Sequence, residues 1–365
     1  MHALRQKNGS KRTQAGGGRL VPLPAVANNP GRLHALHYVP ENLAPGAALV
    51  VVLHGCTQDA AGYDRGSGWS QLADRHGFAV LFPEQSRANN ANLCFNWYSP
   101  NHSQRGMGEP ASIRAMVEAM RKAHDLDSAK IFVTGLSAGG AMTGVMLAAY
   151  PDVFAGGAII AGLPFGCASD LTQAFDCMGG RAGTGRDELV RSVRRASPHK
   201  GPWPRVSIWQ GGADRIVVPG NADAIVAQWA GVHGLGEAPT RTDTIGGHPR
   251  RQWTAADGTV LVEHVAIKGM AHGTPLDPGS GEGQSGVAGA HMLDVGLSST
   301  DQIAAFFGIA PAVAERATRK AAAPAAPRKR SAVASTLRTT PKPAPATGGV
   351  QQVIEDALRA AGLMR

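Results

Sequence analysis

A serine in the G-x-S-x-G pentapeptide 135–139 has the surroundings that a catalytic nucleophile requires. An apolar, largely β-branched run, 130–134, precedes it, and a helical pattern of small and apolar residues, 140–148, follows. A strand–turn–helix of this kind presents a serine hydroxyl at a sharp turn, where the flanking glycines avoid steric collisions. The context therefore predicts that Ser137 is a nucleophile, although a pentapeptide alone would also fit a loop serine.

A serine hydroxyl needs a base that removes its proton and an acid that orients the base. After an elbow of this type, the chain order is serine, acid, histidine. Asp214 follows the apolar run 206–210, and His272 lies in a glycine-flanked loop after the run 260–267. We predict that Asp214 is the acid and His272 the base, the alternative for His272 being a surface loop histidine. Other candidates are less suitably placed relative to strand ends: His248, His264, His291, Asp243 and Asp257.

Two backbone N–H groups must stabilise the oxyanion that forms when a serine attacks an ester. The residue after the nucleophile, Ala138, is expected to supply one of them. The loop after an early strand supplies the other in this arrangement, and the apolar run 49–53 is followed by residues 54–58. We predict the amide of Cys56 as the second donor, with His54 packing in the loop rather than acting as a second base.

The elements that must position these groups alternate along the chain. Apolar runs predict strands at 33–39, 48–53, 78–82, 130–134, 157–161, 206–210 and 260–267. Helical periodicity appears at 69–76, 110–124, 220–231 and 301–307. Continuously apolar strands favour a parallel sheet buried on both faces, and the alternation predicts one doubly wound α/β domain with the α/β-hydrolase fold over residues 30–310.

The formal net charge of +9 is concentrated at the ends of the 365-residue chain. Residues 1–19 hold five basic side chains and no acidic one, and residues 311–365 hold ten basic against three acidic ones. The remainder is slightly acidic, so charge gives no support for a polyanionic substrate in the active site.

The ends are predicted to lie outside the folded domain. We expect a flexible basic tail at 1–29, a disordered linker rich in Ala, Pro, Lys and Arg at 311–348, and a short amphipathic segment at 349–365. A solubilising role is the simpler interpretation of these basic ends; contact with DNA, an anionic membrane or a polyester granule is the alternative. No signal-peptide pattern and no apolar run of transmembrane length is found, which favours a cytoplasmic protein without a membrane span.

Several motifs together resemble one known family. They are H-G-C-T-Q at 54–58, C-F-N-W-Y at 94–98, G-E-P at 108–110, the serine elbow at 135–142, G-M-A-H-G-T-P at 269–275, M-L-D-V-G-L-S-S-T at 292–300 and F-F-G at 306–308. This set is similar to the polyhydroxybutyrate depolymerase family of esterases. The resemblance implies a serine esterase that needs no cofactor and acts on poly(3-hydroxybutyrate), its oligomers or other short acyl and aromatic esters. The same family resemblance includes feruloyl and acetylxylan esterases. Many relatives are secreted, whereas the N-terminal sequence of this chain favours a cytoplasmic protein.

The same resemblance suggests roles for the four cysteines and for two aromatic residues. Cys56 and Cys94 fall in two family motifs, so a bridge between them would brace the oxyanion loop. Cys167 and Cys177 bracket the region where a lid would lie; in a reducing cytosol, four free thiols are the alternative. Trp97 and Tyr98 are expected to line the acyl pocket, or else to pack in the core. No cysteine or histidine spacing indicates a metal site.

Overall fold

The computed structural model describes residues 18–281 and 284–312. The strands are β1 (Val21–Pro22), β2 (His34–Tyr38), β3 (Leu49–Leu53), β4 (Ala79–Glu84), β5 (Ile131–Leu136), β6 (Gly156–Ile160), β7 (Arg205–Gly211), β8 (Arg241–Ile245), β9 (His248–Thr254), β10 (Val260–Ile267), β11 (Thr274–Leu276) and β12 (Met292–Asp294). The helices are α1 (Ala60–Ser67), α2 (Trp69–His76), α3 (Gly108–His124), α4 (Ala138–Ala149), α5 (Leu171–Met178), α6 (Arg186–Arg195), α7 (Gly220–Val232) and α8 (Ser299–Phe307), with a 3₁₀ turn at Pro100–His102.

Ten strands form one sheet in the order β1-β2-β4-β3-β5-β6-β7-β10-β9-β8. The six central strands from β4 to β10 are mutually parallel, and antiparallel strands close both margins. The carboxyl ends of β5, β6, β7 and β10 consequently lie along the same sheet edge. Ligands of open α/β sheets bind at this edge, so the loops after these strands are where a site is expected.

The sheet is buried on both faces because its central strands carry apolar side chains at successive positions. All five residues of β3 are buried. Val51 packs into one core layer with Met116 of α3 and Met146 of α4. Its neighbour Val50 packs into the opposite layer with Leu72 of α2. Alternate side chains of a strand thus pack against helical layers on opposite faces of the sheet. This arrangement confirms the predicted doubly wound α/β-hydrolase architecture.

Residues 19–23, within the predicted N-terminal tail, contact the edge of the sheet. Leu20 is buried in the core, and Val21–Pro22 pair with β2. The Leu23 amide donates to the carbonyl of Ala35 at 2.9 Å. Arg19 donates to the Tyr38 hydroxyl and pairs with Asp74. Backbone pairing and one buried leucine therefore fix residues 20–23, which lie within the stretch predicted to be a flexible tail.

The remaining predictions for the chain ends cannot be compared with the fold. Residues 1–17, the linker 313–348 and the amphipathic segment 349–365 lie outside the described residues. Within the described ranges, none of the helices has both the length and the hydrophobicity needed to cross a bilayer.

Candidate active site

Ser137 occupies the single residue between the end of β5 and the start of α4. Its backbone has φ 57° and ψ −118°, in a region that a residue with a side chain rarely adopts. Its amide donates to the carbonyl of Ile160 at 2.9 Å, which helps to hold this strained turn. The strand and the helix meet so closely that a Cβ at Gly135 would lie 2.5 Å from the carbonyl carbon of Gly139. The G-x-S-x-G spacing is therefore a steric requirement of the turn.

Asp214 lies in the turn after β7 and is almost fully buried, with 3% of its surface exposed. Its Oδ1 accepts the amides of Ile216 at 2.9 Å and Val217 at 3.0 Å. Its Oδ2 accepts Nε2 of Gln210 at 3.1 Å. These donors fix the carboxylate and leave Oδ2 directed at the loop after β10.

His272 meets that oxygen: its Nδ1 lies 2.7 Å from Oδ2 of Asp214. Because a carboxylate only accepts, Nδ1 carries the hydrogen and Nε2 of a neutral ring is left as an acceptor. The His272 loop is held against β7, where the Ala213 amide donates to the carbonyl of Met270 at 2.9 Å. The structure therefore brings together the predicted acid and base, which lie 58 residues apart in the chain.

The loop predicted to hold the oxyanion follows β3. The Gly55 amide donates to Oε1 of Gln58 at 2.8 Å, and Thr57 has φ 63°. Among the described residues, no acceptor is recorded for the amide of Cys56. Ala138 is the first residue of α4, so its amide has no partner within the helix. Both predicted donors thus have an amide available for another acceptor.

His54 does not have a free ring nitrogen. Its Nδ1 lies 2.8 Å from the carbonyl of Gly55, and its Nε2 accepts the amide of Gln85 at 3.1 Å. Burial lowers the pKa of His54, which keeps the ring neutral. Both nitrogens are used in packing the loop, as expected for a residue that is not a second base.

The chain is similar in sequence and in structure to known proteins. Residues 33–248, more than half of the chain, match the family described as esterase PHB depolymerase. The chain belongs to the PHB depolymerase family of esterases. It is 47% identical over 293 residues to poly(3-hydroxyalkanoate) depolymerase C of Paucimonas lemoignei, covering 80% of this chain and 70% of that protein.

This esterase also resembles fungal enzymes. It is 35% identical over 264 residues to an acetylxylan esterase of Coprinopsis cinerea, covering 71% of this chain and 70% of the relative. The solved structure of an acetyl xylan esterase from Aspergillus awamori superposes with a TM-score of 0.68 at 27% identity, covering 80% of this chain and all of the other. The esterase is accordingly a serine carboxylic ester hydrolase with the α/β-hydrolase fold.

All four cysteines of the esterase are paired. Cys56 is bonded to Cys94, and Cys167 to Cys177. The second bridge joins the segment after β6 to α5, whose last residue, Met178, accepts the Val218 amide at 3.0 Å. Four free thiols are therefore not the state in this structure, and each bridge lies in a segment next to the predicted site.

The two aromatic residues proposed for the acyl pocket have different surroundings. Trp97 packs in the core and is 9% exposed, and its ring lies 5.6 Å from that of Tyr98 in an edge-to-face arrangement. Tyr98 is only partly buried and packs against the same core cluster. Trp97 is therefore a core residue in this structure, while part of the Tyr98 side chain is exposed.

One residue beside the base was set aside by sequence reasoning. His291 donates from Nδ1 to the carbonyl of His272 at 3.1 Å, and the two rings lie 5.8 Å apart, edge to face. The only sequence signal was its place directly before the family motif at 292–300. In the described part of the chain, no three His, Cys, Asp or Glu side chains gather as metal ligands would.

Proposed function

We propose that Ser137, His272 and Asp214 form the catalytic triad of this esterase. The observation that carries the proposal is the 2.7 Å contact between Nδ1 of His272 and the buried Asp214 carboxylate. It fixes the tautomer that a general base needs, with Nε2 as the acceptor. The strained backbone of Ser137 at the carboxyl edge of the same sheet supports its role as the nucleophile.

The reaction would proceed through an acyl-enzyme. The Ser137 oxygen bonds to the ester carbonyl carbon while its proton passes to Nε2 of His272. The bond to the alcohol oxygen then breaks as the imidazolium returns the proton to that oxygen. Water repeats both steps, releasing the acid and restoring the serine, and Asp214 stabilises the imidazolium each time.

The amides of Cys56 and Ala138 are proposed to bind the oxyanion. Both lie at the carboxyl ends of parallel strands, Cys56 in the loop after β3 and Ala138 at the start of α4 after β5. Neither amide has an acceptor among the described residues. Removal of one such donor typically costs 10²–10³-fold in kcat.

We propose poly(3-hydroxybutyrate), its oligomers and related short-chain esters as the substrates. The 47% identity to a poly(3-hydroxyalkanoate) depolymerase over 80% of the chain supports this class. The acetylxylan and feruloyl esterases among the relatives, 30–35% identical, support plant polysaccharide esters as the alternative. Tyr98 is proposed to border the acyl group in either case, with Trp97 supporting it from the core side. Contact of the basic chain ends with DNA or a polyester granule stays a prediction from charge alone.

The test is a panel of purified variants assayed on p-nitrophenyl butyrate, 3-hydroxybutyrate oligomers, acetylated xylan and a feruloyl ester. Ser137→Ala is expected to lose activity on every substrate that the wild type hydrolyses. Ser128→Ala is the matched control, because this serine is exposed just before β5, at the opposite edge of the sheet. Equal activity of Ser137→Ala and wild type would exclude the triad. Higher kcat/KM on xylan or feruloyl esters than on hydroxybutyrate oligomers would favour the alternative substrate class.

A further inference from the structure

Glu109, the second residue of α3, is a fully buried carboxylate that the proposed reaction does not use. Its Oε2 accepts the backbone amide of Asn96 at 2.8 Å. Its Oε1 accepts Nδ2 of Asn96 at 2.6 Å and Nε2 of Gln85 at 2.7 Å. Three donors therefore converge on one carboxylate, which offsets much of the cost of burying its charge.

These partners hold the segment that carries Cys94. Nε2 of Gln85 also donates to the carbonyl of Cys94 at 3.1 Å. The carbonyl of Asn96 accepts the amide of Ser99 at 2.9 Å, and Oδ1 of Asn96 accepts Nδ2 of Asn90 at 3.0 Å. Glu109 thus fixes the segment on both sides of Cys94 by a charge-assisted network.

The oxyanion loop is in turn joined to the Cys94 segment by two direct links, and a third joins it to Gln85. The first is the disulfide bond from Cys94 to Cys56. The second is the hydrogen bond from the Thr57 amide to the carbonyl of Asn92 at 2.7 Å. The third is the hydrogen bond from the Gln85 amide to Nε2 of His54 at 3.1 Å. Residues 54–57 are therefore anchored to a segment whose own position depends on Glu109.

We propose that Glu109 is a positioning residue for ester hydrolysis, acting through the Cys94 segment to hold the Cys56 amide in its oxyanion-binding position. The inference rests on the proposed function of Cys56. Glu109 itself touches no reacting atom, so its removal should weaken stabilisation of the transition state more than binding of the substrate.

The network works as described only while the carboxyl is ionised, because a protonated carboxyl turns one acceptor into a donor that faces N–H groups. Burial raises the pKa of Glu109 to about 7, and the hydrogen bonds from Asn96 and Gln85 oppose that rise. The helix N-terminus at which Glu109 lies also favours the anion.

The histidine and tyrosine side chains around Glu109 add no charge to this cluster near pH 7. His102 has Nδ1 3.5 Å from Oε1 of Glu109, and burial followed by the charge of Arg32 lowers the pKa of His102. Burial followed by the Glu109 charge raises the pKa of Tyr98. The Gln85 amide also donates to His54, and burial lowers the pKa of His54. These side chains are thus neutral near pH 7, and support of the segment is expected to weaken as the pH falls below 7.

The experiment compares Glu109→Gln with Glu263→Gln in the full-length protein, using p-nitrophenyl butyrate from pH 6 to 9. Glu263 is the matched control because it is another buried carboxylate within the sheet. It accepts hydrogen bonds from the Ser207 hydroxyl at 2.7 Å and from Nε2 of Gln252 at 3.3 Å. At pH 8, Glu109→Gln is expected to lower kcat about tenfold with KM within about twofold of wild type, less than the loss of a whole donor. Glu263→Gln is expected to leave both constants within about twofold.

The pH profile separates positioning from general stability. The ratio of the wild-type kcat to that of Glu109→Gln should rise between pH 6 and 8, because only the wild type gains the ionised carboxylate over this range. A wild-type kcat in Glu109→Gln, an equal loss in both glutamine variants, or a raised KM at unchanged kcat would each overturn the proposal.

A second variant covers the case in which Glu109→Gln does not fold. Asn96→Ala removes one donor to the carboxylate and leaves the charge in place. Its kcat is expected to fall about threefold to tenfold, and an unchanged kcat would contradict the proposal. Failure of the proposed function gives a different result, since Ser137→Ala would then keep wild-type activity.

Discussion

The α-carbon of Gly139 packs against the carbonyl oxygen of Leu53, so closely that a Cβ at residue 139 would lie 2.3 Å from that oxygen. Gly139→Ala must therefore move α4 or the end of β3, which carry the proposed nucleophile and oxyanion loop. We expect a loss of about 1–3 kcal/mol in the free energy of unfolding, as in overpacked cores, together with lower kcat. Urea denaturation and esterase kinetics measure the two effects.

Gly144 is the matched control, because it lies in the same helix and a Cβ there would meet no atom closer than 3.8 Å. Gly144→Ala is expected to keep full activity and to stabilise the protein by about 0.5–1 kcal/mol, since alanine favours the helix. Equal effects of the two substitutions would contradict the steric account of the elbow.

Replacement of Asp214 by asparagine tests the orientation of the base. The amide would offer Nδ1 of His272 a donor as well as an acceptor, so the ring would no longer be held with Nε2 as its acceptor. We expect kcat to fall about 10³–10⁴-fold, as seen when the triad acid is amidated in serine proteases. Asp257→Asn, in the exposed turn before β10, should retain wild-type kcat; a similar loss there would point away from the acid at residue 214.

The two disulfide bonds should contribute unequally to stability. The Cys56–Cys94 bridge has a sequence separation of 38 and the Cys167–Cys177 bridge one of 10. Loop-closure entropy predicts losses of about 3.9 and about 2.7 kcal/mol, respectively, when each pair is replaced by serines. Chemical denaturation of the two double variants gives the comparison. A larger loss for the shorter loop would show that local packing outweighs chain entropy here.

His264 should make stability depend on pH. Its Nδ1 accepts from Arg251 at 2.7 Å, while burial and then the Arg251 charge lower the pKa of His264 to about 4. The unfolded chain takes up a proton near pH 6.5 and the folded protein does not, so stability present above pH 6.5 is lost as the pH falls toward 4. The loss at pH 5 is expected to reach about 2 kcal/mol.

Urea midpoints at pH 7.5 and pH 5 measure this difference. His264→Gln should lack most of the decrease, whereas His34→Gln, at an exposed position, should retain it. An undiminished decrease in His264→Gln would assign the pH dependence to other groups.

Sequence patterns predict those parts of the molecule whose signals are local. The seven apolar runs all form strands, and five consecutive residues, 135–139, indicate the sharp turn at Ser137. Asp214 and His272 are predicted as acid and base because each follows an apolar strand in the expected order. The contact between them depends on β10 lying beside β7 in the sheet, which the chain order does not state.

Other elements could not be predicted because their sequence patterns are weak. Strand β8 is mostly exposed and polar, with charged residues at Arg241 and Asp243, and the short α5 lies in a stretch without clear periodicity. The carboxylate network of Glu109 joins residues from three separate segments, and only the fold reveals that they meet. The two-residue strand at Val21–Pro22 is stabilised by its partner β2 rather than by its own residue types.

Strand β6 contributes no member of the proposed triad, yet it lies between β5 and β7, which carry two of them. The connection that leaves its carboxyl end, residues 161–204, contains α5 and α6 and contacts the turn of Asp214 through Met178 and Val218. The hydrogen bond from the Val218 amide to the Met178 carbonyl therefore ties this connection to the turn that carries the proposed acid. Substitutions in α5 can consequently shift the carboxylate of Asp214 from a distance, although they replace no member of the proposed triad.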